Sequence, residues 1–159
     1  MWRFDATPRR IAALNGDALA CGSVAPNGWA TRMEVAVAAG LDAPATARAA
    51  VAPWLATRVS ERLLGDVQLL LSELVTNSVL HAQGPGHAAI RVSVEICDGL
   101  VHLEVEDGGD DAVIAPRPPD HEHGGGFGLY LVESLAERWG SRHHGSTCVW
   151  ADLAISSAN

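Results

Sequence analysis

Apolar and polar residues along the chain follow two periods. Four segments alternate with the period of two that is typical of strands: 32–37, 89–96, 100–106 and 147–153. Three others carry apolar residues at helical spacing: 44–60, 64–81 and 128–139. Asp98-Gly99 is a hairpin signal that should pair two of the strands antiparallel. The order of these segments along the chain predicts an α+β fold, a two-layer sandwich with helices on one face of a mostly antiparallel sheet.

The ends of the chain and its long loop lack such periods. Residues 1–28 are rich in turn-forming residues and are interpreted as an N-terminal extension of uncertain order, so the folded domain is predicted over residues 29–155. Residues 107–126 are too rich in proline and glycine for a regular element, and loops of this length are usually functional or mobile. In the helix that follows, we expect Tyr130, Leu131, Leu135 and Trp139 to face the core.

Composition narrows the classes of function. The 159 residues carry a net charge of -8, which argues against binding to nucleic acid or to an anionic membrane surface. No apolar stretch approaches the roughly 20 residues of a membrane span, and no export signal is present, so a cytoplasmic location is expected. Cys21, Cys97 and Cys148 form no CxxC pair, and reduced thiols are expected.

The types of basic residue in the chain limit the ways in which it could bind a phosphate group. All 11 are arginine, and the absence of lysine excludes a Walker-type phosphate loop. Any phosphate must be held by backbone amides, arginine or a metal ion. A zinc site at His121, His123, His143 and His144 is disfavoured by their spacing, and they are interpreted as polar loop residues.

The best-patterned helix carries a first candidate site. Glu73, Asn77 and His81 lie one turn apart along the edge of its apolar stripe, where side chains can face a cleft. A carboxylate and an amide oxygen at this spacing suit proton acceptance from a hydroxyl and coordination of Mg²⁺ beside phosphates. Taken alone, solvated surface residues are the more common explanation of such a pair.

Two further segments could bind a nucleotide. Asp107 ends a strand and could accept a hydrogen bond from an exocyclic amine, while Gly109 would let a flat ring approach the backbone. The glycine run at 124–128 opens into a helix whose free amides favour an anion. An Asp-Gly turn and a flexible linker are the respective structural alternatives.

The order and spacing of the three segments are specific when taken together. The stretch 72–82 and the run from Gly124 to Trp139 resemble the anti-sigma factor serine kinases, a branch of the gyrase, chaperone and histidine kinase type (GHKL) ATPases. The resemblance covers about residues 43–153 and implies a Bergerat-type ATP-binding fold that uses ATP and Mg²⁺.

The resemblance also implies roles for individual residues. Glu73 matches the catalytic base, Asn77 the Mg²⁺ ligand and Asp107 the adenine-binding aspartate. Thr147 matches the hydroxyl residue that supports the adenine contact. The docking glycine and the lid around the phosphates correspond to Gly109, Gly124, Gly126, Phe127, Gly128 and Leu129.

The sequence is compatible with three functions. The resemblance implies a protein serine kinase that transfers the γ-phosphate to an anti-anti-sigma protein, binds a sigma factor and, like many members, pairs as a homodimer. Leu80 and Phe127 occupy positions where arginine is frequent in relatives, which favours a non-catalytic module that binds nucleotide and sequesters a regulator. A third alternative is an interaction domain that retains only the fold.

Overall fold

The chain folds into a five-stranded sheet with three helices in a computed structural model that describes residues 32–81, 89–108, 127–143 and 145–155. Gly109, Gly124, Gly126 and residues 1–28 lie outside the described residues, so the predictions made for them stay predictions. The described elements, in chain order, are β1 Arg32–Ala38, α1 Ala43–Ala56, α2 Glu61–His81, β2 Ala89–Cys97, β3 Leu100–Asp107, α3 Phe127–Leu135, β4 Arg138–His143 and β5 Thr147–Ala154.

The sheet has the strand order β1-β2-β3-β5-β4, and every neighbouring pair is antiparallel. The tight turn between β2 and β3 places Asp98 at φ 50° and Gly99 at φ 76°, the left-handed conformations that a two-residue hairpin loop requires. The predicted α+β sandwich with an antiparallel sheet is therefore confirmed.

The core lies between the sheet and the helices. Alternate residues of β2, β3 and β5 point to this side and pack against the apolar face of α2, which includes Val67, Leu70, Leu71, Leu74 and Val75. By length and composition alone, Glu61–Leu80 could span a membrane. Because these five side chains are at most 2% exposed within the domain, α2 has the character of a core helix.

The prediction of one helix over 128–139 is wrong at its C-terminal end. α3 ends at Leu135, and β4 begins at Arg138. The Glu137 amide already donates to the Asp152 carbonyl at 2.8 Å, so pairing with β5 replaces the helical hydrogen bonds. Gly140 also disfavours helix in this segment, and the sheet edge offers the backbone a better alternative.

This shift also changes which side chains face the core. Tyr130 is 49% exposed, contrary to the prediction, and Val132 is the fully buried residue among the described side chains of α3, those from Tyr130 onward. Leu131 and Leu135 are partly buried against the core, as expected. Trp139 also packs there, but from β4, where it pairs with Ala151.

Candidate functional site

Glu73 and Asn77 lie one turn apart on α2, and both side chains are half-buried. Their neighbours Leu74, Val75 and Ser78 are buried, which places the pair at the border between the packed face and the solvent. Carboxylate and amide oxygens at this spacing are hard donors of the kind that Mg²⁺ prefers. The donor set therefore fits a magnesium ion that completes its coordination with phosphate oxygens and water.

Side-chain hydrogen bonds fix the helix on either side of Glu73. Arg48 of α1 donates to the Ser72 hydroxyl at 2.7 Å, and that hydroxyl donates to the Gln68 carbonyl at 2.7 Å. The Thr76 hydroxyl donates to the Ser72 carbonyl at 2.7 Å. These contacts join α1 to α2 beside the candidate site, so the position of Glu73 depends on both helices.

Asp107 and Thr147 are paired at the neighbouring ends of β3 and β5. Their exposed fractions are 8% and 5%, and both share the sheet face that carries the core residues Val105 and Val149. The Thr147 hydroxyl lies 3.3 Å from His143 Nδ1 on β4. A buried carboxylate beside a hydroxyl at the end of an apolar strand can hold a polar group of a ring that enters the sandwich.

The fold brings most of the predicted site residues to one side of the sheet. α2, which carries Glu73 and Asn77, packs on β3 and β5, the strands that carry Asp107 and Thr147. Phe127, Gly128 and Leu129 form the first turn of α3, which packs against α2. The described parts of the three predicted segments therefore converge on the helix side of the sheet.

His143 is a site neighbour that the sequence interpretation missed. It was assigned to a loop, whereas it ends β4 and faces Thr147 across the hairpin. Gly145, with φ 76°, is the signal that could have indicated this turn between two strands.

The cysteines differ from the expectation of three reduced thiols. Cys97, at the end of β2, is disulfide-bonded, and Cys148 is free. Burial raises the pKa of the Cys148 thiol, and its Sγ lies 3.6 Å from Arg142 Nη2. No group of three histidine, cysteine or acidic side chains in the described part of the chain could hold a metal ion alone.

Comparison with known proteins supports the fold and identifies the family. The histidine kinase-like ATPase domain family matches residues 37–153 of the chain. The anti-sigma F factor of Clostridium botulinum, strain Eklund 17B / Type B, is 33% identical over 105 residues, which cover 58% of this chain and 71% of that protein. The anti-sigma F factor of strain Alaska E43 / Type E3 shows the same identity and coverage.

A solved structure is similar in fold. The RsbU and RsbW domains of Rv1364c from Mycobacterium tuberculosis superpose with a TM-score of 0.63 at 23% identity, covering 80% of this chain. The chain spans 33% of that protein's solved chain, and this likeness concerns the fold alone.

The helix-on-sheet architecture and the family match over residues 37–153 identify an ATPase domain, and such a domain implies nucleotide binding. The chain belongs to the histidine kinase-like ATPase domain family, in the branch that contains the anti-sigma F factors.

Proposed function

We propose that the chain is an ATP- and Mg²⁺-dependent protein serine kinase of the anti-sigma factor type. The observation that carries the proposal is the placement of Glu73 and Asn77 one turn apart on α2, on the side of the sheet where Asp107 and Thr147 are buried together. Adenine would bind at Asp107 and Thr147, and the phosphates would extend toward α2 and the first turn of α3.

The proposed reaction transfers the γ-phosphate to a serine of a partner protein. The Glu73 carboxylate accepts the proton of the serine hydroxyl, and the serine oxygen forms a bond to the γ-phosphorus as the bond to the β,γ-bridging oxygen breaks. ADP leaves with that bridging oxygen. Mg²⁺, when held by Asn77 and the phosphates, would offset the negative charge that develops during transfer.

The partners and location are proposed on the names of the relatives. An anti-sigma factor acts on a sigma factor, so we assign a sigma factor and an anti-anti-sigma protein as partners, in the cytoplasm, without direct contact with nucleic acid. A homodimer belongs to the same proposal.

One observation favours a second function, a nucleotide-gated module without catalysis. Leu80 on α2 is 63% exposed at a position where arginine is frequent in relatives, so it offers a partner apolar surface and no cation for a phosphate. Such a module would bind ATP and sequester its regulator without transferring the γ-phosphate.

Calorimetric titration with ATP, with and without Mg²⁺, tests the nucleotide site. We expect Mg²⁺-dependent binding to the wild type and its loss in Asp107→Asn and Asn77→Ala, because the first removes the adenine acceptor and the second the metal ligand. Asp66→Asn is the control, since it makes the same change at a half-buried aspartate on α2 and should bind like the wild type. Wild-type protein that fails to bind ATP would contradict the proposal.

Transfer of a radiolabelled γ-phosphate to candidate anti-anti-sigma proteins separates the two functions. For the kinase, Glu73→Gln should reduce transfer by a factor of about 100 or more while ATP still binds, because a general base typically contributes this much. Glu61→Gln, at the exposed start of α2, is the control. ATP binding without transfer to any candidate would favour the non-catalytic module.

A further inference from the structure

The end of the sheet that carries Asp107 and Thr147 has a third polar side chain. The strand registers pair Asp107 of β3 with Thr147 of β5, and Thr147 in turn with His143 of β4. Since neighbouring strands lie about 4.8 Å apart, the three residues form a short row across the end of the sheet. We call Asp107, Thr147 and His143 the polar row.

The side chains of the polar row lie on the helix side of the sheet. Successive side chains of a strand point to opposite faces, so His143 shares the face of Trp139, which packs against the core from β4. Thr147 likewise shares the face of the core residue Val149. His143 is therefore on the side of the sheet where the nucleotide site is proposed.

A side-chain hydrogen bond joins two members of the polar row. Thr147 Oγ1 lies 3.3 Å from His143 Nδ1, and Thr147 is 5% exposed while His143 is half-buried. Burial strengthens such a contact, because bulk water competes with it less. A hydroxyl has one proton and two lone pairs, and it rotates to suit its partners. The imidazole therefore determines which of these the Thr147 hydroxyl has left for a ligand.

Either tautomer of His143 fixes the direction of the hydroxyl. Where Nδ1 is unprotonated, it accepts the hydroxyl proton, and the Thr147 oxygen offers its lone pairs to a donor such as an exocyclic amine. Where Nδ1 carries a proton, it donates to the oxygen, and the hydroxyl proton is left for an acceptor such as a ring nitrogen. In both cases the hydroxyl is oriented before a ligand arrives, so its ordering does not weaken binding.

His143 occupies a position from which it can act on the site without supporting the core. β4 reaches the core through Trp139, four residues before His143. His143 is the last residue of the strand, next to the turn in which Gly145 has a φ of 76°. The pairing of β4 with β5 uses backbone atoms. A substitution of His143 therefore removes the hydrogen bond to Thr147 and leaves the strand pairing in place.

We infer that His143 is a positioning residue of the nucleotide site: it holds the Thr147 hydroxyl in the direction that the polar edge of adenine requires, and it thereby sets the affinity for adenine nucleotides. His143 acts through Thr147 and does not need to touch the nucleotide. The role assigned to His143 rests on the proposed function, in which adenine binds at Asp107 and Thr147.

Calorimetric titration of the full chain with ATP, in the presence of Mg²⁺, measures this role. His143→Leu should weaken ATP binding roughly fivefold, the effect of one neutral hydrogen bond. His143→Asn should bind within about twofold of the wild type, because its amide can replace Nδ1 as the hydrogen-bonding partner of the hydroxyl. Ser141→Ala is the matched control, since it changes a half-buried residue on the same face of β4, and it should bind like the wild type.

A double-mutant cycle separates positioning through Thr147 from a general structural effect. In the Thr147→Val background the hydroxyl is absent, so the addition of His143→Leu should change ATP binding by less than about twofold. An equal loss on adding His143→Leu in both backgrounds would show that His143 affects the site by another route, and it would overturn the inference.

The same titrations distinguish a failure of this role from a failure of the proposed function. ATP binding that is lost in Asp107→Asn but unchanged in His143→Leu would overturn the role of His143 and leave the nucleotide site in place. Equal weakening in His143→Leu and His143→Asn would overturn the role too, because the shape of the imidazole and not its hydrogen bond would then matter. Wild-type protein that fails to bind ATP would overturn both.

Discussion

The two faces of the sheet are built from the same strands but are stabilised by different interactions. In β3, Val101, Leu103 and Val105 are at most 1% exposed and face the helices, whereas His102 and Glu104 alternate with them on the open face, the side of the sheet away from the helices. The helix face is stabilised by non-directional apolar burial, and the open face by paired charges. A strand with period-two alternation therefore carries two separate surfaces, and each is stabilised by a different kind of interaction.

The candidate nucleotide site lies where the apolar surface ends. Along the helix face, the buried valines and leucines of β3 lead to Asp107, and those of β5 begin after Thr147. Polar residues placed at the end of an apolar face remain shielded from water, where a hydrogen bond to a ligand is stronger than at an exposed position. The open face lacks such shielding at its rim, and the central carboxylates Glu104 and Asp152 are paired with donors of the same face.

The largest expected loss of stability comes from a substitution that creates a cavity on the helix face. Leu103→Ala removes a side chain that is 0% exposed, and it should lower the free energy of unfolding by about 2 to 5 kcal/mol, measured by urea denaturation. Ser93→Ala on β2, whose hydroxyl makes one hydrogen bond to Glu104, is the control and should cost about 1 kcal/mol. Equal losses would contradict the contrast between the faces.

A smaller effect is expected where a glycine lies under an aromatic ring. A Cβ on Gly140 would approach the Trp150 ring to 2.9 Å, so Gly140→Ala should cost about 1 to 3 kcal/mol, because the rigid indole cannot move aside within the open face. Gly65→Ala on α2 is the control. Nothing lies within 4 Å of its added Cβ, and this helical site should be stabilised by about 0.5 to 1 kcal/mol. Thermal unfolding of both variants measures the difference.

The sequence predicted the helix face better than the open face. Period-two and helical patterns located α1, α2, β1, β2, β3 and β5, because each of these elements has a clear apolar side. β4 has no such alternation: its residues are all intermediate or exposed, and it forms because β5 offers it a hydrogen-bonding edge. Long-range pairing of this kind leaves no local signal in the sequence.

The candidate site also combines features that a local pattern predicts with features that depend on long-range pairing. Glu73 and Asn77 could be proposed as site residues because helical spacing fixes their relation within one element, and Asp107 because it ends a patterned strand. The contact of His143 with Thr147, and the row of charges that includes Glu95 and His102, depend on registers between strands that are distant in sequence. A single sequence does not specify those registers.

Removing the central cation of the open face should have a moderate, pH-dependent effect. Hydrogen bonds and charge interactions with Asp152 and Glu104 outweigh desolvation and raise the pKa of His102 to about 9, while the hydrogen bond from His102 and the charge of Arg142 lower the pKa of Glu104 to about 2. His102→Gln should cost about 1 to 2 kcal/mol at neutral pH, less than the full shift would give, because solvent screens the half-buried ring.

The directions of the two pKa shifts determine how the stability of the fold changes with pH. A raised His102 pKa contributes stability that is full below its unfolded value of 6.5 and is lost as the pH rises through about 9. A lowered Glu104 pKa contributes stability that is present above its unfolded value of 4.5 and is lost as the pH falls through about 2. The wild type should therefore lose stability between pH 6.5 and 9 more steeply than His102→Gln, as measured by urea unfolding across that range. Parallel curves would show that His102 is not the titrating group.

The smallest expected effect lies at the rim of the open face. Arg91 and Glu106 form an ion pair at 2.8 Å, but their side chains are 64% and 33% exposed, so water competes with the contact and salt screens it. Arg91→Ala should change the free energy of unfolding by about 0.5 kcal/mol or less, and the difference should shrink further in 1 M salt, where the screening length is about 3 Å. A loss as large as that of His102→Gln would contradict this expectation. It would mean that the rim of the open face is as well shielded from water as its centre, where Ser93, Glu95 and Asp152 are buried.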